Sequence, residues 1–124
     1  MAKPSRSSDA RAASFAARTF FVTTRTAQSR ALFRTTCMAE LLIEVLRQQM
    51  RTRKILIHDF VIMPDHVHVL MTVPPEMSVE RAMQLIKGGF SFRAKKELGF
   101  CGEVWQRSYS DVQIFARGEL SSAS

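Results

Sequence analysis

Two histidines lie two residues apart in the apolar, β-branched segment MPDHVHVL, which covers residues 63–70. His66 and His68 are two of only three histidines in the chain. Alternate residues of a β-strand point to the same side about 6.6 Å apart, so a strand here places both rings on one face. Two converging imidazoles can ligate a divalent metal ion and leave room for another ligand, water or a substrate oxygen. The pattern alone also fits a pair of partly exposed surface histidines.

Two nearby residues are candidates for further metal ligands, and the third histidine is not one of them. His58 is too far along the sequence to be assigned to the site by spacing. Asp59 and Asp65 are carboxylates that can complete a metal shell, although acids in loops and strands are usually only solvated. The spacing therefore identifies two ligands and leaves a third open.

Strand signals recur four times along the chain. Pro64-Asp65 separates the two middle strands, which predicts a β-hairpin, and Pro74-Pro75 ends the second of them because proline cannot donate to the sheet ladder. The histidine pair therefore begins the second strand of a hairpin. Aromatic and β-branched residues predict the strands over 19–26, 55–63, 66–73 and 103–115.

Two amphipathic helices are predicted between these strands. Apolar residues recur at i, i+3 and i+4 after Thr36, the predicted N-cap of the first helix. Ser78 is the predicted N-cap of the second helix, which ends at Gly99. The pair Gly88-Gly89 lies in its middle, where each glycine costs about 1 kcal/mol relative to alanine. The pair therefore predicts either a break or a close backbone approach.

The order of elements predicts an α+β fold of the ferredoxin-like βαββαβ type. In that layout a four-stranded antiparallel sheet carries two helices on one face, and the other face stays free. With 124 residues the chain has room for one core. We expect a disordered basic arm over 1–18, one domain over 19–115 and a flexible tail over 116–124.

Charge is unevenly distributed along the chain. The net charge is +7; up to Lys54 there are eleven basic and three acidic residues, and afterwards seven basic and eight acidic. Basic residues that neutralise phosphates gain affinity by counterion release, so a nucleic acid is the predicted partner, with a solvated basic surface as the alternative. No apolar run approaches the roughly 20 residues of a membrane helix, and Cys37 and Cys101 stand far apart. We expect a soluble, cytoplasmic protein of a reducing compartment, without a membrane partner.

Three segments taken in order resemble one protein family. HDFVIMPDHVHVL, AMQLIKGGFSFRAKKELGF and GEVWQRSYSDVQI are similar to motifs of the REP-associated tyrosine transposases, a branch of the IS200-like single-tyrosine HUH transposases. The similarity extends from Thr19 to Ile114, and the ordered combination is far more specific than a lone H-x-H. The resemblance implies the same ferredoxin-like sheet and DNA transposition through single-stranded or hairpin DNA.

The resemblance also implies a mechanism. His66 and His68 would hold a Mg²⁺ or Mn²⁺ ion that polarises the scissile phosphate, and a tyrosine would attack phosphorus to leave a 5′-phosphotyrosine and a free 3′-hydroxyl. In the family this tyrosine lies on a helix after the last strand, in a stretch resembling Tyr-Ile-x-x-Asn-Pro, and a polar residue one turn later completes the metal shell. The sequence up to Ser124 holds no such stretch, so the position of the family tyrosine is expected to fall beyond Ser124.

We therefore expect a C-terminally truncated family member that is catalytically incomplete. Tyr109, the only tyrosine, stands at a position that is not the family's catalytic one, and we expect it to pack or to contact DNA. DNA binding is predicted to survive this loss. The candidate DNA contacts are basic residues and an aromatic platform: Lys87, Arg93, Lys95, Trp105 and Arg107, with Lys96 and Phe92 as further candidates.

Two other classes of function fit parts of the sequence. KGGFSF, residues 87–92, echoes the RNP1 string of RNA-recognition modules, which would make the chain a non-catalytic single-stranded nucleic-acid-binding domain. That string must lie on a central strand, whereas here it falls in a helical pattern. The chain can also act as the partner of a homologous transposase subunit.

Overall fold

Four strands and two helices make up the described part of the protein. The structure is a computed structural model that describes residues 17–115. These residues form one antiparallel sheet in the order β2-β3-β1-β4, and the predicted ferredoxin-like βαββαβ fold is confirmed. The elements are β1 (Arg18–Thr26), α1 (Thr36–Thr52), β2 (Leu56–Met63), β3 (His66–Val73), α2 (Val79–Leu98) and β4 (Trp105–Ile114).

The element bounds lie close to those that the sequence predicts. Arg18, assigned to the basic arm, is instead the first residue of β1 and pairs with Val73, because the strand ladder extends one residue further than its aromatic and β-branched core. The predicted connector between β1 and α1 forms two 3₁₀ turns, Ala27–Ser29 and Leu32–Arg34.

Two of the predicted segments lie outside the described residues. They are residues 1–16 of the basic arm and the tail over 116–124, which includes Ser124. The described residues do not test the expectation that the family tyrosine falls beyond Ser124, and it stays a prediction.

Local capping chemistry accounts for both ends of α2. The Ser78 hydroxyl accepts a hydrogen bond from the Arg81 N–H at 3.0 Å, and Gly99 ends α2 in the left-handed region with a φ of 67°. Both predictions are confirmed. The prediction for α1 is wrong by one residue, because its N-cap is Thr35, whose side chain makes no capping hydrogen bond. Neither helix within 17–115 is long and apolar enough to cross a membrane.

The core lies between the helices and one face of the sheet. In β3 every second residue, from Val67 to Val73, is buried, and the residues between them are half-exposed. This alternation means that the helices cover one face and leave the other open. Phe90 of α2 is fully buried, with its ring centroid 5.5 Å from that of Phe33 and 5.6 Å from that of Trp105. The aromatic cluster joins α2 to β4 and to the turns after β1.

The glycine pair does not interrupt α2, so the predicted break is wrong. A Cβ added at Gly89 would lie 3.5 Å from Cγ1 of Val45, at contact distance from α1. Nothing lies within 4 Å of a Cβ at Gly88. Both positions therefore have room for a Cβ at ordinary packing distance, and the structure shows no close approach that requires glycine.

We expect Phe90→Ala to lower the free energy of unfolding by about 3–5 kcal/mol, because it leaves a cavity in the core where α2 meets the sheet. Urea denaturation measures the change. Phe92→Ala is the matched control, since Phe92 is 65% exposed on the same helix; it should change stability by less than about 0.5 kcal/mol. Equal losses for the two variants would show that Phe90 is not the central contact.

Candidate metal centre and nucleic-acid interface

Strand β3 places both of its histidines on the open face of the sheet. Val67 and Val69 point under the helices and are buried, so His66 and His68 project from the opposite side. The centroids of the two imidazoles are 4.9 Å apart, with the rings nearly perpendicular. The two rings are therefore brought together, as the spacing predicts, and their role as metal ligands stays a prediction.

One nitrogen of each ring is already engaged by a neighbouring side chain. Nδ1 of His66 lies 2.7 Å from a carboxylate oxygen of Asp65, and Nδ1 of His68 lies 2.8 Å from the hydroxyl of Thr23. The hydrogen bond with His66 is the main cause that lowers the pKa of Asp65. An ionised carboxylate only accepts, so Nδ1 of His66 carries the hydrogen. This contact leaves Nε2 of His66 as the nitrogen that can bind a metal, and metal-ligating histidines are commonly oriented in this way.

The turn that precedes the histidines is fixed by main-chain hydrogen bonds. Thr26 N–H donates to the Asp65 carbonyl at 3.0 Å, and Phe33 N–H donates to the Pro64 carbonyl at 2.9 Å. The end of β1 and the turns that follow it therefore hold the β2–β3 hairpin. Asp65, a candidate ligand in the sequence, is placed as the residue that orients His66.

Of the further residues considered, His58 lies away from the pair, whereas Asp59 lies on the open face and lines a pocket together with His68. Nε2 of His58 lies 2.6 Å from the hydroxyl of Thr72. Thr72 is four residues beyond His68 on β3, which corresponds to about 13 Å along the strand. Asp59 pairs with Leu70 in the register of β2 and β3. Within residues 17–115 no group of three His, Cys, Asp or Glu side chains is placed to hold a metal ion.

The donor set fits a divalent transition metal as a partial shell. Two imidazole nitrogens suit such an ion better than Mg²⁺, whose ligands are almost always oxygens. Of the two ions that the resemblance implies, Mn²⁺ therefore matches the nitrogens of His66 and His68 better. The remaining positions would have to be filled from outside these two side chains.

A polar concavity of about 370 Å³ lies beside the pair on the open face. Arg25, opposite His66 in the register, contributes an exposed positive charge to it. No local sequence pattern indicated Arg25, because its place opposite His66 depends on the register between β1 and β3. The concavity is also lined by Thr23, His68, Gln106, Ser108, Tyr109 and Ser110. Hydroxyl, amide and guanidinium groups of this kind are common phosphate contacts.

The strand register places the side chain of Tyr109 on the helix side of the sheet, although the residue also borders the polar concavity at the edge strand. It pairs with the buried Thr24, and the Lys87 ammonium lies 5.5 Å from the centroid of its ring. Burial, followed by the carboxylates of Glu80 and Asp111, raises the pKa of the phenol. A raised pKa works against the phenolate that an attack on phosphorus requires.

Three of the predicted DNA contacts are engaged within the protein, and two of them meet between α2 and β4. The Lys87 ammonium donates to the carbonyl of Gln106 at 2.8 Å, and burial lowers its pKa. Trp105 is buried, and its indole N–H donates to the Lys87 carbonyl at 3.1 Å. A DNA phosphate that bound Lys87 would have to share its ammonium group with the Gln106 carbonyl.

Arg93 is the third predicted DNA contact that is engaged within the protein. It joins the two helices and does not lie beside the histidines. Its guanidinium donates to Glu97 at 2.6 Å and to Glu44 of α1 at 2.8 Å. Lys95 and Arg107 are exposed. The DNA roles of all five candidates stay predictions. The RNP1-like string, residues 87–92, lies inside α2 with its first phenylalanine buried, so it does not form a stacking strand.

We expect His68 to titrate below its ordinary pKa of 6.5 in metal-free protein, because burial, His66 and Arg25 all lower the pKa of this imidazole. Folding then disfavours the protonated ring. The contribution of His68 to stability is level above about pH 6.5 and falls as the pH drops through the folded pKa. NMR titration of the ring in the presence of a chelator measures the midpoint.

Arg25→Gln should raise the pKa of His68 but leave it below the ordinary value, because burial, the largest cause of the lowered pKa, remains. Arg25→Lys keeps the charge and serves as the control. A midpoint at or above 6.5 in the unaltered protein would contradict this account of the site.

Comparison with known proteins agrees with the fold. Residues 16–117 match the model of the family described as "Transposase IS200 like". A candidate transposase from Deinococcus radiodurans R1 has a similar structure, with a TM-score of 0.66 and 18% identity over 85% of each chain. A REP-associated tyrosine transposase bound to a REP hairpin gives a TM-score of 0.66 and 20% identity over 99% of this chain and 68% of that one. The comparison with curated proteins gave no match. The match over 16–117 shows that the chain belongs to the IS200-like transposase family.

Proposed function

We propose that the domain binds single-stranded or hairpin DNA on the open face of its sheet and holds a divalent metal ion with His66 and His68. The observation that carries the proposal is the pair of imidazoles 4.9 Å apart on the uncovered face, oriented by Asp65 and Thr23. Because the chain is basic and belongs to a transposase family, DNA is the polyanion that we expect it to bind. The structural relative bound to a REP hairpin supports a hairpin as the target and supports the REP-associated branch for this chain.

The residues around the pair have separate tasks in this proposal. Asp65 and Thr23 orient the two imidazole rings by hydrogen bonds with Nδ1 of His66 and Nδ1 of His68. The bound ion would neutralise charge on a phosphate and polarise its oxygens. Arg25 adds a positive charge at the same edge, and Ser108 and Ser110 offer hydroxyl donors from β4.

We further propose that these 124 residues bind DNA without forming a phosphotyrosine on their own. Tyr109, the only tyrosine of the sequence up to Ser124, packs on the helix side against Lys87, and the pKa of its phenol is raised. The nucleophile and the further metal ligand would come from another segment or from a homologous transposase subunit. The proposed role is therefore that of the DNA-binding and metal-binding part of a transposition reaction.

We expect Mn²⁺ to tighten the binding of a REP-type hairpin by the unaltered protein. In the double variant His66→Ala with His68→Ala, Mn²⁺ should leave the hairpin affinity unchanged. Calorimetry with Mn²⁺ alone and fluorescence anisotropy with labelled hairpin measure the two affinities. His58→Ala is the matched control, since His58 is the third histidine and contacts Thr72. A Mn²⁺ effect that persists without His66 and His68, or that is lost in His58→Ala, would exclude the proposed metal centre.

We expect no covalent protein–DNA band when the unaltered chain is incubated with single-stranded REP-type DNA and Mn²⁺, because the raised pKa and the position of Tyr109 oppose attack. A denaturing gel reveals such a band if it forms. A band that disappears in Tyr109→Phe would overturn the proposal that the chain binds without cleaving.

A further inference from the structure

A second, apolar concavity of about 110 Å³ lies on the other side of His68 from the polar one. The Phe21 ring stacks on His68, with a centroid distance of 5.3 Å and an interplanar angle of 17°. We call this concavity the Phe21 pocket. It is lined by Phe21, Asp59, Phe60, Val61, His68 and Leu70.

Large apolar side chains of the Phe21 pocket are exposed on the open face of the sheet. Phe21 is 40% exposed and Val61 is 50% exposed, and both pair with open-face residues of β3. Exposed aromatic and aliphatic side chains that adjoin a polar site are typical of binding surfaces. His68 lines both this pocket and the polar concavity, so it separates an apolar site from a site suited to phosphate.

We propose that the Phe21 pocket receives one unpaired nucleobase of the DNA strand whose phosphate lies beside His66 and His68. This inference rests on the proposed function. Nucleobases stack on aromatic side chains regardless of their identity, because every base has a π-face. The volume admits a single planar ring system, whereas a docked amphipathic helix requires an extended groove. One nucleotide would then span His68, with its base at Phe21 and its phosphate toward Arg25.

Asp59 gives the pocket a preference among bases. One oxygen of its carboxylate accepts a hydrogen bond from the Phe60 N–H at 2.9 Å, which leaves the second oxygen able to accept from an amino group. Adenine, cytosine and guanine carry an exocyclic amino group, and thymine does not. The pocket should therefore disfavour thymine, and Asp59→Asn should weaken that discrimination.

Abasic scanning of a REP-type hairpin with a single-stranded flank tests the assignment. Each base of the flank is removed in turn, and affinity is measured by fluorescence anisotropy with Mn²⁺ present. We expect removal of one base to weaken binding by the unaltered protein about tenfold. Phe21→Leu should weaken binding of the intact DNA by a similar factor and abolish the effect of that abasic position. Phe21→Trp should keep both the affinity and the effect.

Phe115→Leu is the matched control, because it makes the same change at an exposed phenylalanine that lines neither the Phe21 pocket nor the polar concavity. If Phe21→Leu and Phe115→Leu both bind every hairpin like the unaltered protein, the pocket takes no base, while Mn²⁺-dependent binding through the histidines still stands. If the unaltered protein binds no hairpin at all, the proposed function fails as well. A change in sedimentation of Phe21→Leu without a change in DNA affinity would instead identify the surface as an interface between copies of the chain.

Discussion

The antiparallel pairing of β1 with β3 is the interaction on which the candidate site depends. In this register Thr23 lies opposite His68 and Arg25 lies opposite His66. The same register puts Phe20 and Val22 under the helices, where they are buried with the valines of β3. A shift by one residue would send every side chain of β1 to the wrong face, so burial of the core and assembly of the site are one constraint.

The positive charge of the chain is distributed between two roles. On the helix layer, Lys87 and Arg93 link α2 to β4 and to α1 through carbonyl and carboxylate oxygens. On the open face, Arg25 stands beside the histidines in an exposed position. Basic composition therefore indicates a polyanionic partner for the whole chain, whereas only the position of each cation shows which of them faces that partner.

The open face combines two surfaces of different chemistry around His68. Toward β4 the lining is hydroxyl, amide and guanidinium, and toward β2 it is aromatic and aliphatic. A nucleotide has the same division, with a charged phosphate at one end and a flat, weakly hydrated base at the other. The proposed base site would account for the exposure of Phe21 and Val61, which a purely structural sheet would cover or replace with polar residues.

The sequence by itself determined the features that depend on neighbouring residues. Strand alternation placed His66 and His68 on one side, Pro64-Asp65 set the hairpin, and Ser78 and Gly99 bounded α2, because each of these follows from local backbone geometry. Only the tertiary structure decided what surrounds them. Thr23 and Phe21 reach His68 from a strand more than forty residues earlier, and the contacts of Lys87 and Trp105 join separate elements. Such contacts are fixed by the register and by helix packing, which no local pattern of side chains specifies.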